Sequence, residues 1–129
     1  VYKRQGRRRH HRGRDIAQMK LKIQDYNDVT VVEVHGDLDS DVVELFQDKI
    51  IEIVAKNRVG VVLDMSGVGF IDSQGLEQLL WARDYCNENT RELRLAGLDE
   101  NCLRILEITR LGNEFAHYAE LAEAVKSFA

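Results

Sequence analysis

Nowhere in the 129 residues is there a run approaching the roughly 18 consecutive apolar residues that a membrane-spanning helix needs. No apolar stretch near the N-terminus ends in a small-residue cleavage site either. The expectation is a soluble, unexported, cytoplasmic protein that engages no membrane. Cysteine is scarce: Cys86 and Cys102 are the only two, and neither has a second Cys or His at metal-ligand spacing. That argues against a disulfide framework and a zinc site, and both thiols read as reduced and structural, since free Cys favours burial. Internal repeats are absent as well. What is present, 44% hydrophobic and 31% charged residues, suits one globular domain around one core.

Charge is unevenly spread. Residues 1–18 hold seven Lys and Arg against one Asp, a net +6, so the remaining residues carry −10 of the overall −4. A basic arm suits nucleic acid, but VYKRQGRRRHHRGRDIAQ lacks apolar periodicity and precedes Met19, which has the look of a natural start. Residues 1–18 are therefore expected to be a disordered extension outside the fold, either translated upstream of Met19 or foreign to the protein, with the domain at 19–129 and no direct nucleic-acid contact.

Leu21 and Ile23 alternate with polar residues, Tyr26-Asn27-Asp28 has turn character, and Val29 to Val34 is β-branched, which predicts two strands. Asp41 with Glu44 resembles a capping box, and Val43, Phe46, Ile50, Ile53 and Val54 then predict a helix up to Asn57. Val59 to Met65 is nearly unbroken and apolar, as expected of a central strand covered on both faces. Leu76, Leu79 and Leu80 predict a second helix from near Ser73 to Asn87. Leu93 and Leu95 mark a strand. Leu103, Leu106 and Arg110 mark one face of a third helix stopped by Gly112, Phe115 to Tyr118 a short edge strand, and Leu121, Val125 and Phe128 a closing helix. Strands separated by single helices imply right-handed crossovers, so the predicted fold is α/β, a mixed sheet of four to five strands with about four helices.

The segment Val61 to Leu76 puts Ser73 at a helix start just past a buried strand. There the hydroxyl can cap free N–H groups, and an added phosphate would meet the positive end of the helix dipole. From local spacing alone, an ordinary serine cap beside a glycine is the better reading.

The wider pattern decides between them. Leu63-Asp64-Met65-Ser66, Phe70-Ile71-Asp72-Ser73 and Gly75-Leu76 resemble the signature of the STAS family, of the anti-sigma-factor antagonist type. Gly36-Asp37-Leu38-Asp39 looks like the family's Gly-Glu/Asp-Leu-Asp block, and Leu106 to Leu111 followed by Phe115 and Leu121 is similar to its third-helix ending. The resemblance implies an anti-anti-sigma factor in a partner-switching pathway. Such a protein binds a GHKL-type serine-kinase anti-sigma factor, is inactivated by phosphorylation of Ser73, and is reset by a phosphatase. It implies no cofactor and no enzymatic activity. Asp72 and Asp39 are the implied neighbours orienting the kinase complex and Gly75 the small residue permitting close approach, within a partner-binding set of Asp37, Leu38, Asp39, Ser66, Phe70, Asp72, Gln74, Gly75 and Glu77. Gln74 replaces a second serine common in the family, and Glu77 stands where many members have a small residue. Members of this fold also serve transporters and stress-signalling assemblies, so a subunit of such a complex with Ser73 unmodified is the alternative.

Other chemistries fit less well. A hydrolase using Ser73 with His117 and Asp84 or Asp99 would need a glycine at position 71, where Ile71 stands. His35 and His117 lack a third ligand and read as structural. Gly67 and Gly69 lack the spacing and Lys-Ser/Thr of a P-loop, which leaves them as turn residues. Trp81 is expected to pack under the third helix, with partner anchoring as the other reading.

Overall fold

A computed structural model describes residues 21–56 and 59–129. The extension at 1–18 and Asn57 lie outside them. Strands β1 (Leu21–Tyr26) and β2 (Val29–His35) form a hairpin. A 3₁₀ turn (Ser40–Val42) leads into α1 (Val43–Lys56), then β3 (Gly60–Gly67) and α2 (Ser73–Glu88). β4 (Glu92–Ala96), α3 (Glu100–Ile108), β5 (Ala116–Tyr118) and α4 (Leu121–Lys126) complete the order. The sheet runs β1-β2-β3-β4-β5, antiparallel only at β1–β2, so the described residues form a mixed five-stranded sheet with four α-helices, within the four to five strands and about four helices that the sequence predicts.

The hairpin turns at Asn27, whose φ of 59° suits an asparagine better than most side chains. Thr30 Oγ1 donates to Asp25 Oδ1 at 2.8 Å between directly paired positions. β3 is central, and its alternation explains its unbroken apolar run. Val61, Leu63 and Met65 face the main core beneath α1, α2 and α3, while Val62 faces a smaller cluster with Val29, Val31, Ala96 and Ala124 of α4. Phe46 and Ile50 of α1 are 0% exposed. Burial of such side chains stabilises by about 1.5–3 kcal/mol each. Cys86 and Cys102 are both buried and free, as predicted.

Two predicted details are corrected. The cap before α1 is Asp39, not Asp41: a 3₁₀ turn precedes the helix, so the first free donor is the Asp41 N–H, 2.9 Å from Asp39 Oδ1. The third helix buries Cys102 and Leu106, whereas Leu103 is 40% exposed and Arg110 lies beyond the helix. The helix ends at Ile108 because Arg110 turns left-handed at φ 63°.

Candidate functional site

β2 and β3 are parallel, so the loops that follow them leave the same edge of the sheet. Backbone bonds tie these loops together. Gly36 N–H donates to the Gly67 carbonyl at 3.0 Å, Leu38 N–H to Phe70 at 3.1 Å, and Asp72 N–H to Leu38 at 3.4 Å, with a parallel bridge between Leu38 and Ile71. Leu38 at 0% and Ile71 at 2% exposure form the apolar underside of this seam. The apolar residues in both motifs thereby hold two loops, distant in sequence, in one fixed register.

The seam fixes where α2 begins. With its N–H turned to Leu38, Asp72 takes extended backbone (φ −90°, ψ −176°) and its carboxylate accepts from Gly75 N–H at 2.8 Å. Asp72 is the N-cap. Ser73 is the first helical residue, so it does not supply the cap, a correction to the sequence expectation. Its side chain stands exposed at the positive end of a 16-residue helix. Gly75 is buried directly over the neighbouring loop: a Cβ there would lie 2.2 Å from the Leu38 carbonyl oxygen and 2.9 Å from Ile71 Cγ2. Only a glycine lets the first turn of α2 come this close.

α3 supports the loop from behind. Asn101 Nδ2 donates to the Gly69 carbonyl at 2.8 Å, and Cys102 Sγ lies 3.5 Å from the Val68 carbonyl. Burial pushes the Cys102 thiol up to about 12, helped by its Asp99 bond and by the charges of Asp99 and Asp37; burial pushes Cys86 up to about 11 against the pull of Arg91. Both thiols are inert at neutral pH.

Of the predicted site residues, Asp37, Leu38, Asp39, Phe70, Asp72, Ser73 and Gly75 lie on the two joined loops or the helix start. Leu38 and Gly75 are inside the chain, where they shape the surface without forming part of it. Gln74 and Glu77 are exposed on the first two turns of α2. Ser66 stands apart, its hydroxyl and N–H both turned to Asp64 Oδ1 at 2.8 and 3.1 Å, against Gly97. Residues 34–48 and 59–82 contain no Lys or Arg, while Asp37, Asp39, Asp41, Asp72 and Glu77 all lie there. Among the described residues, the two joined loops and the start of α2 are therefore acidic in their own sequence.

The alternative triad is not assembled. Asp84 is held by Arg83 at 2.9 Å, Asp99 caps α3, and among the described residues no hydrogen bond links His117 to Ser73. His117 is exposed on β5, and His35, also exposed, lies 3.1 Å from Glu33. Among the described residues, no cluster of three or more His, Cys, Asp or Glu is arranged to hold a metal ion. Trp81 is partly buried on the main core with its ring stacked on Tyr85, centroids 5.2 Å apart.

Sequence reasoning missed the pair that sets α1 beside α2: Gln47 Nε2 donates to Gln78 Oε1 at 2.7 Å, with Gln78 8% exposed. A glutamine next to Leu79 on the apolar face was the one local signal. Also missed was Arg83, which joins Glu114 and lies 5.8 Å over the Phe115 ring, tying α2 to the chain before β5. Its hydrogen bonds to Asp84 and then to Glu114 hold its guanidinium pKa above the usual value.

The profile of the family described as "STAS domain" matches residues 20–124. Among solved structures, an anti-sigma factor antagonist from Mycobacterium paratuberculosis is similar at 25% identity and a TM-score of 0.74, covering 84% of this chain and 92% of that one. The Bacillus cell fate determinant SpoIIAA in its phosphorylated form is similar at 17% identity and a TM-score of 0.66, over 84% and 99% of the two chains. A sulfate transporter family protein from Wolinella succinogenes also shares the fold, at 19% identity and a TM-score of 0.67, over 81% and 87%.

Proposed function

The chain belongs to the STAS domain family, and from that premise we propose that it is an anti-anti-sigma factor in a partner-switching pathway. In this reading it binds a GHKL-type serine-kinase anti-sigma factor through the joined loops and the start of α2. The kinase then transfers a phosphoryl group from ATP to Ser73. The Ser73 oxygen bonds to the γ-phosphorus, the bond from that phosphorus to the β-phosphate oxygen breaks, ADP leaves and the hydroxyl proton is lost to the kinase. A phosphatase reverses the change by hydrolysis.

The observation that carries the proposal is the placing of Ser73. Asp72, not Ser73, caps α2, so the Ser73 hydroxyl is exposed without a structural task. A phosphoserine adds about −1.5 to −2 charges. At the first position of a helix it leaves that helix intact, yet it stands beside Asp72 on a face with no Lys or Arg in its own loops. Phosphorylation thus alters charge at a fixed surface, and a partner that fits the neutral serine loses affinity. The antagonist from M. paratuberculosis and the phosphorylated form of SpoIIAA support this reading by analogy.

The transporter-family neighbour favours a second reading, a STAS subunit in which Ser73 is never modified. Incubation with ATP and the serine-kinase anti-sigma factors of the source organism, followed by peptide mass spectrometry, separates the two. The switch requires one phosphoryl group on Ser73 and none on Ser73→Ala. An unmodified chain with every kinase supports the subunit.

A further inference from the structure

Three apolar side chains in the loop before α2 have different fates. Val68 and Ile71 are 1% and 2% exposed, whereas Phe70 is 48% exposed. The backbone that carries Phe70 is pinned on both sides, its own carbonyl by Leu38 N–H and that of Gly69 by Asn101. An aromatic ring is therefore held outward on a fixed support three residues before Ser73. On the other side of Ser73, Glu77 lies one helical turn along α2 on the same face. It is exposed and forms no ion pair among the described residues. Its neighbours three and four positions away, Ser73, Gln74, Leu80 and Trp81, are uncharged.

Resting on the partner-switching reading, we infer that Phe70 and Glu77 are the residues by which this chain selects its partner. They fit a protein surface that offers an apolar pocket to Phe70 and a Lys or Arg side chain opposite Glu77. An aromatic anchor on a rigid loop loses little conformational entropy on docking and is the residue type that dominates interface energies. A carboxylate left unpaired by its own chain rewards a cationic partner and repels an anionic one, so it supplies discrimination and a faster encounter. The cation belongs opposite Glu77 and not opposite Ser73. A kinase must bring the anionic phosphates of its nucleotide to the Ser73 oxygen, so phosphoserine meets like charge there while the contact at Glu77 stays one turn away.

The test titrates the full chain into each purified serine-kinase anti-sigma factor of the source organism, loaded with ADP, by calorimetry. Phe70→Ala and Glu77→Lys should each bind at least about tenfold more weakly than wild type and Glu77→Gln about threefold more weakly. Wild-type affinity should fall more steeply with added NaCl than that of Glu77→Gln. Melting temperatures of both Glu77 variants should match wild type and that of Phe70→Ala should fall by no more than about 4 °C, because Glu77 is exposed and Phe70 only half-buried. Wild-type affinity in Phe70→Ala or in Glu77→Lys overturns the inference. Should Ser73→Asp weaken binding while those two do not, the switch stands and the selection residues are wrong. Should no kinase bind wild type, the functional reading fails and this inference with it.

Discussion

At Asp72 and Ser73, adjacent residues of similar capping ability have opposite tasks, and substitution should separate them. Asp72→Ala removes the acceptor for Gly75 N–H and should cost about 1 kcal/mol, a fall of about 4 °C in melting temperature. Ser73→Ala should melt within about 1 °C of wild type. Equal losses would return the cap to Ser73. Gly75→Ala should be worse than either, since its Cβ would meet a backbone oxygen at 2.2 Å that no side-chain rotation can relieve. Overpacking of this kind costs about 1–3 kcal/mol, and a melting temperature within about 2 °C of wild type would contradict the close approach. The Asp-Ser-x-Gly block was legible in the sequence, but the choice between Asp72 and Ser73 as cap was not. It is made by the Asp72 N–H bond to Leu38, a residue 34 positions away that no local spacing reveals.

Among the elements, legibility follows the same division between local pattern and distant contact. The five strands and four helices were readable because periods of 2 and about 3.6 are written into consecutive residues. The end of α3 was not, because Arg110 adopts a left-handed conformation that its side chain does not announce. The Gln47–Gln78 bond between α1 and α2 joins positions 31 apart and was equally invisible. Its energetics are testable by a double-mutant cycle. Gln47→Ala should cost about 1–3 kcal/mol, because it leaves the mostly buried Gln78 amide without its partner. The double variant Gln47→Leu/Gln78→Leu should cost less than the two single changes together. Additive losses measured by denaturant unfolding would show that the pair does not couple the helices.

At the scale of the whole described fold, the two cysteines lie buried in the main core, Cys102 behind the Ser73 loops and Cys86 near the far end of α2. The thiols predict an alkaline limit to stability. Their folded values, about 11 for Cys86 and about 12 for Cys102, exceed the 9.0 of a free thiol. A raised folded value favours the fold fully below pH 9, and that contribution is lost as pH rises from 9 toward 11 to 12. Both thiols should also resist a thiol reagent at pH 8 until the chain is unfolded. Rapid labelling of the native protein would contradict their burial.

Whether one charge at Ser73 controls association is measured directly by calorimetry of the phosphorylated and unphosphorylated chain against the ADP-loaded kinase. Ser73→Ala should bind within about fivefold of wild type, since the hydroxyl is worth at most about 1 kcal/mol. Ser73→Asp should bind about tenfold more weakly, roughly 1.4 kcal/mol, and phosphoserine more weakly still. Equal affinity of the alanine and aspartate variants, or tighter binding of the phosphorylated chain, would contradict it.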